Sequence, residues 1–143
     1  MIRRVPFVFA VNAALILLSG VLVFHVLVLG GVVPFEIVWG GRLQRVDQMR
    51  AFESVSVLIT FLVLGTVAMR GGYVSRFLPT RVLSILLGVY GGIFALNTVG
   101  NIFALTTIEA IIGAPLTFLI SLLCWRMAVE PWPQGVNGHA GPL

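Results

Sequence analysis

The side chains of this sequence best suited to chemistry are His25, Glu53, Asn97, Asn101 and Glu109. An imidazole beside a carboxylate can pass a proton, pair as opposite charges, or contribute to a metal site. Two amides four residues apart offer donors and acceptors from one helix face, since a helix turns ~100° per residue. By that spacing Asn97, Gly100, Asn101 and Ala104 share one face, Glu53, Ser56 and Thr60 a second, and Gly113 and Thr117 continue the face that Glu109 begins. Glu53 is the expected centre of the group and His25 its expected partner. There is no HExxH, Gly-rich phosphate loop, CxxC or serine-triad signature to fix a reaction. No cofactor is expected, and the residue types leave any metal undetermined. Cys124 is the single cysteine, which excludes an internal disulfide and reads as a small apolar filler.

The elements that must position these groups belong in lipid. Of 143 residues 59% are hydrophobic and 10% charged, and the mean hydropathy is +1.08, far from a soluble domain of this length. Four apolar runs, about 7–30, 49–69, 82–104 and 108–127, each match the ~20 helical residues that cross a ~30 Å hydrocarbon core. The reading is an all-α membrane protein, a four-transmembrane-helix bundle over residues 1–128, followed by a Pro- and Gly-rich tail, 129–143, expected to be disordered and cytoplasmic. Arg3 and Arg4 imitate the start of a signal peptide, but the apolar run behind them is too long and lacks a cleavage site, so it reads as an uncleaved first span.

Arginine supplies all the positive charge. Nine arginines and no lysine are scattered between apolar runs and form no basic stripe, so no nucleic-acid partner is expected. Arg3, Arg4, Arg70, Arg76, Arg81 and Arg126 fall on one side of an even-span topology and Arg42, Arg45 and Arg50 on the other. That asymmetry puts both termini in the cytoplasm of a bacterial inner membrane. His25, Glu53, Asn97, Asn101 and Glu109 then share one depth in the outer half, on four different helices. Ionisable groups cost ~2.5–3.5 kcal/mol at mid-membrane and normally face the bundle interior. An outward-facing pocket for a small polar, cationic or amphiphilic ligand is the reading this favours. Interhelical glue in an accessory subunit is the alternative, and a membrane-embedded, metal-dependent enzyme a lesser one.

The connection "GVVPFEIVWGGRLQRVDQ" is too apolar for a freely solvated loop, and Pro34 with Gly40 and Gly41 forbids a long helix in it. It reads as an interfacial anchor or as a lid carrying Glu36, Trp39 and Arg42, with Asp47 as the N-cap of the second span. On the third span Ser84, Gly88 and Gly92 form a small-residue stripe, widened by Gly91 and Ala95 and roughly opposite the asparagine face. Two non-lipid faces call for two sets of neighbours, within the bundle or in a homo-oligomer.

The stretches "VPFEIVWGGRL", "AFESVSVLI", "NTVGNIFA" and "PLTFLI" resemble those of small bacterial four-span membrane proteins of uncharacterised activity. That resemblance implies four spans and brings no site residue. The length and span number are also similar to the small multidrug-resistance exporters, but those carry a glutamate in the first span, where this chain has Asn12 and His25.

Overall fold

A computed structural model describes residues 4–131 and is all-helical among them, with no strand. Four long helices dominate: α1 (Phe7–Leu29), α2 (Val46–Gly71), α3 (Thr80–Ile102) and α4 (Ala114–Ala128), the last extended backward by a π-helical turn, Glu109–Gly113. Counting that turn with α4, all four are long and apolar enough to cross a membrane. Trp132 and His139, in the tail expected to be disordered, lie outside the described residues.

Local sequence explains where the helices stop. α2 ends at Gly72, whose φ of +80° suits a residue without Cβ; the Gly72 amide donates to Met69 O and the Tyr73 amide to Ala68 O, closing the last turn. α1 and α3 begin directly after Pro6 and Pro79, as expected where a missing N–H costs nothing. In α4 the proline comes one residue late. Pro115 cannot donate to the carbonyl four residues before it, and its ring would press on that carbonyl. The backbone widens instead, and the Ala114 amide reaches back five residues to Glu109 O. Glu109 is the first residue of this wide turn.

α3 packs along α4, α1 along α2, and α4 against α1, while α2 and α3 meet over a shorter stretch. The shared core takes Ala10, Val11, Ala14 and Leu18 from α1, Val63 and Val67 from α2, Leu87 and Phe94 from α3, and Ile120, Leu123, Cys124 and Met127 from α4. Outward stand residues such as Ile16, Phe61, Leu96 and Ile111, each well over half exposed, as a lipid-facing surface requires.

At one end, called here terminal, two buried arginines join the residue before Pro6 to the residues that follow α4. Arg126 Nε donates to Val5 O at 2.7 Å and its Nη1 to Glu130 Oε2 at 2.6 Å, while Arg70 donates to Glu130 O at 2.7 Å and lies over the Phe7 ring. The opposite, distal end is covered by the α1–α2 connection.

Two local expectations change. α2 starts at Val46, so Asp47 sits inside its first turn and is not the N-cap. Arg45 takes the Asp47 carboxylate in two hydrogen bonds, at 3.0 and 2.8 Å, and leaves the helix start without a side-chain cap. The asparagine face and the small-residue face of α3 also share a neighbour. Its buried stripe of Leu83, Leu87, Gly91, Phe94 and Thr98 runs between them, so α4 reaches both edges: Ser121 and Trp125 donate to Gly91 O and Gly88 O on one side, and Thr117 meets Asn101 on the other.

Candidate functional site at the distal end

The α1–α2 connection is built of two short 3-10 turns, Phe35–Ile37 and Trp39–Gly41. In the second, Trp39, Gly40 and Gly41 all have positive φ, at 57°, 71° and 68°. For the glycines this is unstrained; for tryptophan it costs about 1–2 kcal/mol unless something holds it. What holds it comes from the helices below and from the chain beyond α3.

Glu53 lies on α2 about two turns in from Val46 and is fully buried. Its Oε1 accepts the Trp39 indole N–H at 2.7 Å, and its Oε2 is 2.7 Å from His25 Nδ1. The Trp39 ring also packs on Phe52, with centroids 4.9 Å apart. Both carboxylate oxygens therefore have a partner, which a buried carboxylate needs if desolvation is not to dominate. The His25 side chain keeps 21% exposure and edges onto the Phe24 ring. One imidazole nitrogen is thus committed to the carboxylate on the partly open side of a closed group.

Glu109 meets the same turn from the other side. Its Oε2 accepts the Gly40 backbone N–H at 2.7 Å and the Thr106 hydroxyl at 2.6 Å. Leu105 N donates to Gly40 O at 3.1 Å, which joins the turn to the α3–α4 connection. Arg42 adds an exposed bond from Nη2 to Phe103 O at 3.2 Å. Val28 of α1, Val38 of the connection and Met49 of α2 form a small apolar cluster at this end.

The residues singled out from sequence thus fall into groups. His25 and Glu53 meet directly, with Trp39 above them. Glu109 joins them only through the neighbouring residue of the turn. Asn101 belongs elsewhere: its Nδ2 donates to Thr117 Oγ1 at 3.3 Å, and Thr117 also meets Thr98 Oγ1 at 3.0 Å, a network between α3 and α4. Asn97, four residues earlier, is exposed. Of the loop residues, Trp39 and Arg42 make the bonds just described, and Glu36 is exposed.

Thr98 and Thr106 were not singled out from sequence. Thr106 had a signal, because Thr106-x-x-Glu109 has the spacing of a capping box; here the glutamate turns to the threonine hydroxyl and to a distant amide. Thr98 had none. A threonine in an apolar helix ordinarily bonds its own backbone, as Thr98 also does with Phe94 O at 2.8 Å.

Among the described residues no three His, Cys, Asp or Glu side chains gather closely enough to hold a metal ion. The same residues leave no buried side-chain nitrogen or oxygen without a hydrogen-bond partner. No family model, curated protein or solved structure matches this chain.

Proposed function

We propose that this chain is a multi-pass protein of a bacterial inner membrane, with both termini cytoplasmic, that binds or transports a small cationic or amphiphilic ligand at Glu53. The arginine asymmetry supports the orientation, which makes the distal end the outer one. The observation that carries the binding reading is the state of Glu53: a carboxylate fully buried in a membrane-crossing helix, paired with one partly exposed imidazole and roofed by the indole of a turn in strained conformation.

A group that served only to join helices would need no such roof. An amide or hydroxyl does that work without a charge, as the Asn101, Thr98 and Thr117 network does here. A buried carboxylate is costly and strongly attractive to a cation. The structure corresponds in this account to the closed, empty form, in which Trp39 Nε1 and His25 Nδ1 occupy the carboxylate oxygens that a ligand would take. On opening, the turn relieves its φ strain and the indole swings aside. A cation then sits against Glu53 with an aromatic face available to it.

The accessory-subunit reading has one observation in its favour: among the described residues every buried side-chain nitrogen and oxygen has a hydrogen-bond partner. A thermal-stability screen in mild detergent separates the two. Quaternary ammonium ions, guanidinium compounds, amphiphilic amines and lipids are tested against wild type, Glu53→Gln and Asn101→Leu. Binding predicts a compound that stabilises wild type, by about 2.7 kcal/mol at a hundredfold excess over Kd, and leaves Glu53→Gln unmoved. Asn101→Leu should lower basal stability yet keep the response, because Asn101 belongs to the α3–α4 network. If no compound acts and both variants are simply less stable, the accessory reading stands.

A further inference from the structure

The connection between α2 and α3, at the terminal end, carries chemistry that the distal site does not use. Gly72, Val74, Ser75, Arg76, Leu78, Pro79 and Thr80 line an open cavity of about 720 Å³. The connection joins two membrane-crossing helices over a few residues, so the cavity opens at headgroup depth. Its surface mixes two characters. Val74 in the lining is 50% exposed, and beside the cavity Phe77 is 81% and Tyr73 59% exposed, the Tyr73 hydroxyl donating to Asn12 of α1; these side chains are too apolar for a solvated turn and suit the membrane interface. Between and beside them Arg76 and Arg81 are exposed, and no acidic residue occurs from 72 to 81.

Arg76 is one of the lining residues. Its Nη1 reaches Thr80 Oγ1 at 3.5 Å, which brings the guanidinium toward the start of α3. Two hydroxyl residues, Ser75 and Thr80, line the cavity with it. A planar fork of N–H donors with hydroxyls beside it matches the oxygens of a phosphate. The flanking apolar side chains match the glycerol and first acyl carbons that a lipid phosphate brings with it.

We propose that this cavity seats the phosphate of an anionic phospholipid, held by Arg76 with Ser75 and Thr80, while Phe77 enters the bilayer surface beside it. Arg81 raises the local potential without lining the cavity. The assignment is independent of the ligand at Glu53 and of which leaflet the terminal end faces.

Native mass spectrometry of lipids retained by the detergent-solubilised protein tests it, with phosphatidylglycerol and phosphatidylcholine offered in competition. One basic contact near a membrane surface is worth about a fivefold preference for the anionic lipid. That preference is expected in wild type, in part in Arg76→Lys, and fully in Arg50→Gln, whose arginine lies at the distal end. It should vanish in Arg76→Gln, whose melting temperature in phosphatidylcholine reports that the fold is intact. Equal retention of the two lipids by wild type, or a preference that survives Arg76→Gln, would overturn the assignment. So would displacement of phosphatidylglycerol by millimolar inorganic phosphate, which would mark a site for free anions.

Discussion

Glu53 and Glu109 stand on different helices yet bind consecutive residues of one turn: Glu53 accepts the indole N–H of Trp39, and Glu109 accepts the backbone N–H of Gly40. The two acids thereby clamp a tight turn of positive φ between α2 and the start of α4. Neither bond by itself fixes the turn, because Trp39 can rotate about its side-chain bonds and Gly40 about its backbone. Together they define one closed arrangement, and loss of either leaves the other strained.

This geometry predicts coupling. Trp39→Phe removes one donor and leaves a carboxylate oxygen unsatisfied, at a cost of about 1–3 kcal/mol. Glu109→Ala removes the second clamp. The double variant should lose less than the sum of the singles, by about 0.5–3 kcal/mol, as expected for groups that act on one element. Thermal or denaturant unfolding in detergent measures the cycle, and hydrogen exchange at Gly40 and Leu105 should rise in each single variant. Strict additivity would mean that the two acids hold independent structures.

The glycines of α3 have unequal roles. A Cβ at Gly91 would fall 2.4 Å from the Trp125 ring, whereas one at Gly88 would meet nothing within 4 Å. Gly91→Val should therefore displace the Trp125 ring and break its bond to Gly88 O, at a cost within the ~1–3 kcal/mol usual for overpacking. Gly88→Ala should leave the monomer's melting temperature nearly unchanged. If Ser84, Gly88 and Gly92 also meet a second copy, Gly88→Leu and Gly92→Leu will lower the particle mass in mild detergent without unfolding the chain. An unchanged mass would confine the stripe to packing within one chain.

Orientation has its own test. Cysteines placed at Gln44 and Ser75, in a Cys124→Ala background, should label oppositely with an impermeant thiol reagent applied to intact cells: Gln44 accessible, Ser75 protected. Cys124 is buried in the core, so its replacement trims one small side chain and should cost little relative to larger truncations. Labelling at Ser75 and protection at Gln44 would turn the bundle over and make the Glu53 site face the cytoplasm.

The helices were readable because span length and unbroken apolarity are local properties of sequence, and that His25, Glu53 and Glu109 lie at one end of the bundle followed from counting residues. What depth did not reveal was rotation. Asn97 and Asn101 share a face at ~100° per residue, yet one is exposed and the other bonds Thr117, because the edge of the α3 stripe is set by where α4 lies. That in turn depends on the wide turn before Pro115, which brings Gly113 so close that a Cβ there would be 3.0 Å from Asn101 Nδ2. Trp39 was legible as an aromatic residue in a loop beside two glycines. Its bond to Glu53 was not, because a path through three residues of positive φ has no signature beyond the glycines themselves. Asp47 misled for the opposite reason: its residue type suits an N-cap, but Arg45 two positions earlier competes for the same carboxylate.

The central claim is that Glu53 is shared between the Trp39 roof and a cationic ligand, so the indole N–H of Trp39 must change when the ligand binds. Proton–nitrogen correlation spectra of the indole groups observe that atom pair directly, in a Trp132→Phe background that leaves Trp39 and Trp125. Trp125, whose Nε1 donates to Gly88 O at 3.1 Å, serves as the internal control. Titration with a cation that stabilises the wild-type protein should move the Trp39 signal with the same midpoint as the thermal shift and leave Trp125 in place, and in Glu53→Gln it should move neither signal. A Trp39 signal that stays fixed while the protein is stabilised would contradict the account, since the ligand would then be bound without touching the Glu53 carboxylate.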